Sequence, residues 1–184
     1  MSSSRFYLMM GVLLLAAAGQ VAAVPYILPV CKSIGGGSSF FDVQFCLEAL
    51  GSDQRTFDAG MTYRNFSVVA ADLLTSNATS TAAKIDALLP KGGGGATVRG
   101  LRSCQALYGG IVQRQPGCIA AIKEKRDEEA ISSLEKSASA AKECESGFRR
   151  SSVASPVTAE NGNAFKLAKI VVALIKGADE KKFG

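Results

Sequence analysis

The chain has 184 residues, a formal net charge of +5, five cysteines and no histidine. Without an imidazole there is no Ser–His or Cys–His pair, and a zinc site loses its usual nitrogen ligand. Basic residues are scattered among acids and aromatic residues are few, so the clustered stripe that nucleic acid requires is not present.

Residues 1–23 read as a secretory signal peptide. Arg5 precedes an uncharged apolar run from Phe6 to Ala18, and small residues follow in Gly19-Gln20-Val21-Ala22-Ala23. Cleavage is expected after Ala23, which lowers the net charge to +4. A transmembrane anchor is the competing reading, but the run is short for the roughly 20 residues of a span. Residues 24–184 are expected to form one exported domain, with an N-terminal hairpin over 25–50 and a bundle over 53–177.

The segment from Pro25 to Leu50 holds Cys31 and Cys46, separated by the turn composition Gly35-Gly36-Gly37-Ser38-Ser39. From about Asp53 to Leu89 the pattern is helical, with Phe66, Val69, Leu73, Ile85 and Leu88 recurring at threes and fours, and Ala70, Ala82 and Ala83 at close-packed positions. Pro90 and Gly92-Gly93-Gly94-Gly95 end it. The glycine run lacks the Gly-Lys-Ser/Thr of a phosphate loop and reads as an interhelical connection.

A second helix begins near Ala96 or Thr97, with Leu101, Cys104, Leu107, Tyr108, Ile111 and Val112 on one face. Pro116-Gly117 is expected to kink or break it. A turn follows at Arg126-Asp127. Lys123, Lys125 and Arg126 then close one helix while Asp127, Glu128 and Glu129 open the next, each set opposing the local dipole charge. The same six residues also form a polar tip suited to docking a partner. The third helix spans about Glu128 to Phe148, with Ile131, Leu134, Ala138, Ala141 and Phe148 inward. The last covers Thr158 to Lys176, with Phe165, Ala168, Val172 and Ile175 inward, and Gly177 is its expected stop. Four long amphipathic helices and no strand predict an all-α protein: a four-helix up-and-down bundle with an N-terminal helical hairpin.

Local spacing pairs Cys31 with Cys46 and Cys104 with Cys144. The second pair has geometric support. Both cysteines stand 20 residues from position 124, so two antiparallel helices would each travel about 30 Å from the turn and bring the sulfurs level. The two loops stabilise by about 3 and about 4 kcal/mol in the chain-entropy model. Cys118 is left over as a buried thiol, an intermolecular bridge or a reactive group, of which the buried thiol is the commonest case.

No catalytic residue, metal site or cofactor is expected. The adjacent acids Asp127, Glu128 and Glu129 sit in an exposed first turn, where carboxylates lack the unequal environments of an acid–base pair. Two N-glycosylation sequons occur, Asn65-Phe66-Ser67 and Asn77-Ala78-Thr79. Asn77, in a polar stretch, is the better candidate to face solvent.

Several segments resemble the plant invertase and pectin methylesterase inhibitor family. They are the hairpin cysteines with Phe45-Cys46-Leu47-Glu48-Ala49-Leu50 and Ser52-Asp53, Asn77-Ala78-Thr79 with Ile85 and Leu88-Leu89, Cys104-Gln105-Ala106-Leu107-Tyr108, Cys144-Glu145-Ser146-Gly147-Phe148, and Ser155-Pro156-Val157-Thr158 with Asn161-Gly162-Asn163. The resemblance covers nearly all of residues 24–184. It implies a two-disulfide bundle that binds a secreted carbohydrate enzyme reversibly and blocks its substrate, without catalysis of its own. The Gly35 to Ser39 expansion departs from the pattern and leaves partner contact or dimerisation through the hairpin open. Characterised invertase inhibitors carry a Pro-Lys-Phe motif where this chain, aligned back from Cys144, has Asp127-Glu128-Glu129. The expectation is therefore an inhibitor of pectin methylesterase in the apoplast. The alternatives are an inhibitor of cell-wall or vacuolar invertase, and a non-inhibitory wall-binding protein.

Overall fold

The computed structural model describes residues 24–58 and 60–180, and the signal-like segment 1–23 lies outside them. Six α-helices follow in order: α1 Val24–Gly35, α2 Val43–Gly51, α3 Tyr63–Leu88, α4 Gly95–Lys123, α5 Asp127–Arg150 and α6 Thr158–Glu180. Helices α3 to α6 form the bundle. Each packs on its two chain neighbours, and α3 closes the ring against α6. Helices α1 and α2 form a hairpin that lies against α3 and α6.

Local chemistry sets the element ends. Asp42 caps α2 by accepting the Phe45 N–H at 2.7 Å, and Thr62 caps α3 by accepting that of Asn65 at 3.2 Å. Asp53 caps a short 3₁₀ turn, Gln54–Phe57, so α3 starts at Tyr63 rather than near Asp53. Helix α5 opens on Asp127, Glu128 and Glu129 and closes on Arg149 and Arg150, each matched to the local dipole.

Neither Pro116-Gly117 nor Gly177 ends its helix. Helix α4 continues through Pro116 to Lys123. Pro116 and Gly117 are exposed, so the carbonyl that proline leaves unpartnered lies on the side water can reach. Gly177 is not a stop either, because α6 runs on to Glu180. A Cβ there would come within 2.8 Å of the Tyr63 ring, so this glycine lets α3 and α6 approach. Gly100 does the same for α4 and α5, since its Cβ would lie 2.7 Å from the Phe148 ring.

Small residues dominate the bundle interior. Ala70, Ala71, Ala78, Ala121, Ala130 and Ala141 are fully buried beside Leu74, Ile85, Ile111, Ile122 and Leu134. Ala83 departs from expectation and faces solvent. Both predicted disulfides are present, Cys31–Cys46 within the hairpin and Cys104–Cys144 between α4 and α5, with Cα–Cα separations of 5.6 and 4.8 Å.

Candidate partner-binding surface

The family-like residues Tyr108, Glu145 and Asn161 converge inside the bundle. The buried Tyr108 hydroxyl donates to Asn161 Oδ1 at 2.8 Å, and Asn161 Nδ2 donates to Glu145 Oε2 at 2.7 Å. Thr158 donates to the other Glu145 oxygen at 2.9 Å. The chain of bonds joins α4, α5 and α6. Burial, above all, pushes the Tyr108 phenol well above its ordinary value. The network is buried at Tyr108 and Asn161 and reaches the surface at Glu145 and Thr158, and by joining three helices it acts as a structural clamp.

The predicted docking tip occupies the turn Glu124–Arg126 and the helix ends on either side. It is more internally paired than the sequence implies. Arg126 bridges Glu124 at 2.8 Å and also Glu129, and the two carboxylates raise its pKa. Asp127 is only partly exposed. It takes a bidentate pair from Arg64 of α3, at 2.6 and 2.8 Å, while Arg64 also donates to the Ile122 carbonyl at 2.8 Å. Asp127 therefore builds the turn. Lys123, Lys125 and Glu128 stand exposed, and among the described residues they carry no ion pair.

A cavity of about 580 Å³ opens beside this tip, lined by Val30, Met61, Tyr63, Arg64, Phe66 and Lys125. It brings the hairpin, the loop before α3 and the tip into one concave end. Sequence reasoning missed Arg64, whose partner lies 63 positions away. A basic residue in the first turn of a helix runs against the dipole and was the available signal.

The glycosylation candidates exchange places in exposure. Asn65 is exposed, whereas Asn77 is half-buried, with its Oδ1 enclosed and lacking a hydrogen-bond partner. The neighbouring helices α2 and α6 cover it, since Phe45, Asn163 and Leu167 share its groove. Cys118 is 2% exposed, and burial raises its thiol pKa, so it is a buried thiol in this fold. Among the described residues no group of His, Cys, Asp or Glu is placed to hold a metal ion, and no helix is long and apolar enough to cross a membrane.

A second surface lies where the hairpin meets α5 and α6. Phe40, 48% exposed, meets Phe165 edge-on at 6.0 Å between centroids. Lys142, Lys166 and Lys169 stand over Phe165, Phe45 and Phe40 at 4.4, 4.6 and 4.6 Å. Phe165, expected inward, is half-buried on the flank of α6.

The family description "Plant invertase/pectin methylesterase inhibitor" matches residues 27–174. Proteins from Platanus orientalis and Platanus acerifolia, each described as "Putative invertase inhibitor", are 26% identical over 147 residues. The alignments cover 79% of this chain and 85% and 81% of those proteins. A mutant form of a pectin methylesterase inhibitor from Arabidopsis superposes with a TM-score of 0.67 at 17% identity, covering 80% of this chain and 93% of that one. A second crystal structure, of a pectin methylesterase inhibitor from Arabidopsis thaliana, gives 0.60 at 17% identity, covering 82% and 93%. At that identity the likeness concerns the fold.

Proposed function

The chain belongs to the plant invertase/pectin methylesterase inhibitor family, and from that premise we propose that it is an exported, non-catalytic inhibitor of pectin methylesterase. The family match over residues 27–174 carries the inhibitor class. Two disulfides support an oxidising compartment outside the cytosol, with the apoplast the first candidate and the vacuole the second.

The mechanism is steric. A rigid helical end covers the mouth of the target's substrate cleft, and an interface of about 1,200–2,000 Å² in total would suffice. Lys123, Lys125 and Glu128, beside the concave end, are the proposed contacts, with Arg126, Asp127 and Glu129 shaping the turn that presents them.

The choice of pectin methylesterase rests on the tip. Asp127-Glu128-Glu129 stands where characterised invertase inhibitors carry Pro-Lys-Phe, and Asp127 is engaged with Arg64. Invertase is the second reading, favoured by the Platanus relatives. Self-association through the hairpin is compatible with either, and light scattering of the purified chain tests it.

Titration of the purified protein against both enzymes at apoplastic pH decides the matter. Inhibition of the esterase alone supports the first reading and inhibition of invertase alone the second. Loss of neither activity at micromolar inhibitor overturns both and favours a non-inhibitory wall-binding protein.

A further inference from the structure

We propose that the face formed by Phe40, Phe45, Phe165, Lys142, Lys166 and Lys169 binds an acidic polysaccharide, a chain of sugar rings carrying carboxylates, independently of any enzyme target.

The argument begins with charge. Three lysines stand on this face: Lys169 is largely buried and held by Glu135 at 2.5 Å, while Glu48, which accepts from Gln44, lies beside Phe45 and is the other carboxylate nearby. Lys142 and Lys166 have no carboxylate within 4.0 Å among the described residues. They rest on phenyl rings, and these are contacts that leave an ammonium free to meet an anion. The face thus carries uncompensated positive charge, and the chain as a whole is basic.

Shape favours sugar rings over an acidic peptide. Phe40 is the one large apolar side chain above a third exposed among the described residues. Lys169 and the Phe165 ring cover part of it, and the ring surface left exposed suits the flat C–H face of a pyranose. A peptide helix would need an apolar groove for its anchors, and a peptide strand would need a sheet edge. Among the described residues there is no strand, and the adjoining groove of about 260 Å³ has room for little more than one large side chain, too little for a helix's row of anchors.

The adjoining groove between α2, α3 and α6 adds hydrogen-bonding groups of the right kind. It shares Phe45 with the aromatic face; Ser52, Asn77 and Asn163 line it together with the apolar Leu73 and Leu167 and one carboxylate, Glu48. Amides and a hydroxyl complement sugar hydroxyls. Lysine, a rotatable point charge on a flexible stem, tolerates the variable carboxylate spacing of a polymer better than a rigid guanidinium does.

The test is calorimetric titration of the purified chain, without enzyme, with a de-esterified oligogalacturonate, its methyl-esterified counterpart and poly-glutamate. The de-esterified oligomer should bind, with affinity falling as salt rises. The methyl ester should bind about tenfold more weakly, and Lys142→Gln/Lys166→Gln should lose about tenfold or more, each consistent with loss of close charge pairs. Phe40→Ala should lose several-fold while Phe40→Tyr retains binding, with melting temperatures confirming that every variant folds. Absence of binding at millimolar oligomer overturns the proposal. So does binding that survives the double lysine variant, or poly-glutamate binding as tightly as the oligouronate. Enzyme titrations enter none of these outcomes, so this assignment and the inhibitor reading stand or fall separately.

Discussion

The bundle and the hairpin are held together by different physics. In the bundle, alanines let four helices approach, and the buried Tyr108–Asn161–Glu145 chain ties three of them. A disulfide then closes 40 residues between α4 and α5. The hairpin is closed by a disulfide over 15 residues and joins the bundle core through Ile27, Phe41, Cys46 and Leu50, with lysine-capped phenyl rings at its margin, a cavity at one side and a groove at the other. Rigidity belongs to the bundle. The hairpin covers one side of that core and is bounded by a cavity and a groove, so its helices are expected to open before the bundle does.

The largest test of this contrast is to remove each disulfide in turn. Cys104→Ser/Cys144→Ser should cost about 4 kcal/mol and lower the melting temperature by roughly 8–16 °C for a domain of this size. Cys31→Ser/Cys46→Ser removes a loop worth about 3 kcal/mol in the same model. Its effect should nevertheless stay local: hydrogen exchange accelerates in α1 and α2, while the cooperative melting of α3 to α6 moves by no more than a few degrees. Equal losses of global stability would show that the two regions unfold as one. Tyr108→Phe is the next test. It leaves Asn161 Oδ1 without its buried donor and should cost about 1–3 kcal/mol by urea denaturation, with hairpin exchange unchanged.

Much of the bundle was legible because helical period, cysteine spacing and the glycine and proline punctuation all agree. Tyr108, Cys144, Glu145 and Asn161 were visible as a motif, although no sequence pattern says that their polar atoms share one chain of hydrogen bonds. The long-range pairs were not legible. Arg64 and Asp127 are far apart in sequence, and the charges of the 123–129 tip suggest free docking groups until Arg64 is seen to occupy Asp127. Asn77 looked solvent-facing because its neighbours are polar, but α2 lies across it, and local composition carries no information about a returning arm. Phe165 fell on the helical period yet sits at its margin, where it serves the hairpin face instead of the core.

Acid separates the regions more gently. The Lys84 hydrogen bond, foremost, lowers the Glu160 pKa and ties α3 to α6, while the Arg55 hydrogen bond lowers that of Asp53 beside the hairpin. A carboxylate depressed in the fold contributes its stability above its unfolded value, about 4, and loses it as pH falls through the lower folded value. These pairs are partly exposed, so screening keeps each at about 1 kcal/mol or less. Between pH 6 and pH 3, Glu160→Gln should flatten the fall in bundle melting temperature. Asp53→Asn should alter hairpin exchange and leave that slope alone. Identical slopes for wild type and Glu160→Gln would remove Lys84–Glu160 from the bundle's acid response.

The smallest expected effect lies at the bundle tip, where Lys125 borders the cavity that the hairpin residue Val30 also lines. Lys125 adopts φ 60°, the left-handed conformation, so that the Arg126 N–H reaches the Ala121 carbonyl at 2.9 Å and ends α4. A residue with a Cβ is disfavoured there by about 1–2 kcal/mol. Glycine relieves that strain but gains freedom in the unfolded chain, which returns part of the difference. Lys125→Gly should therefore stabilise the bundle by about 1 kcal/mol or less, read as a small rise in the urea midpoint at constant m-value. Because Lys125 also lines the cavity at the concave end, the same variant should weaken inhibition of the proposed target enzyme. Stability and function would then move in opposite directions at one residue. A variant that is more stable and equally inhibitory would detach Lys125 from the proposed contact surface. A less stable one would mean that Lys125 holds the turn through packing that outweighs its backbone strain.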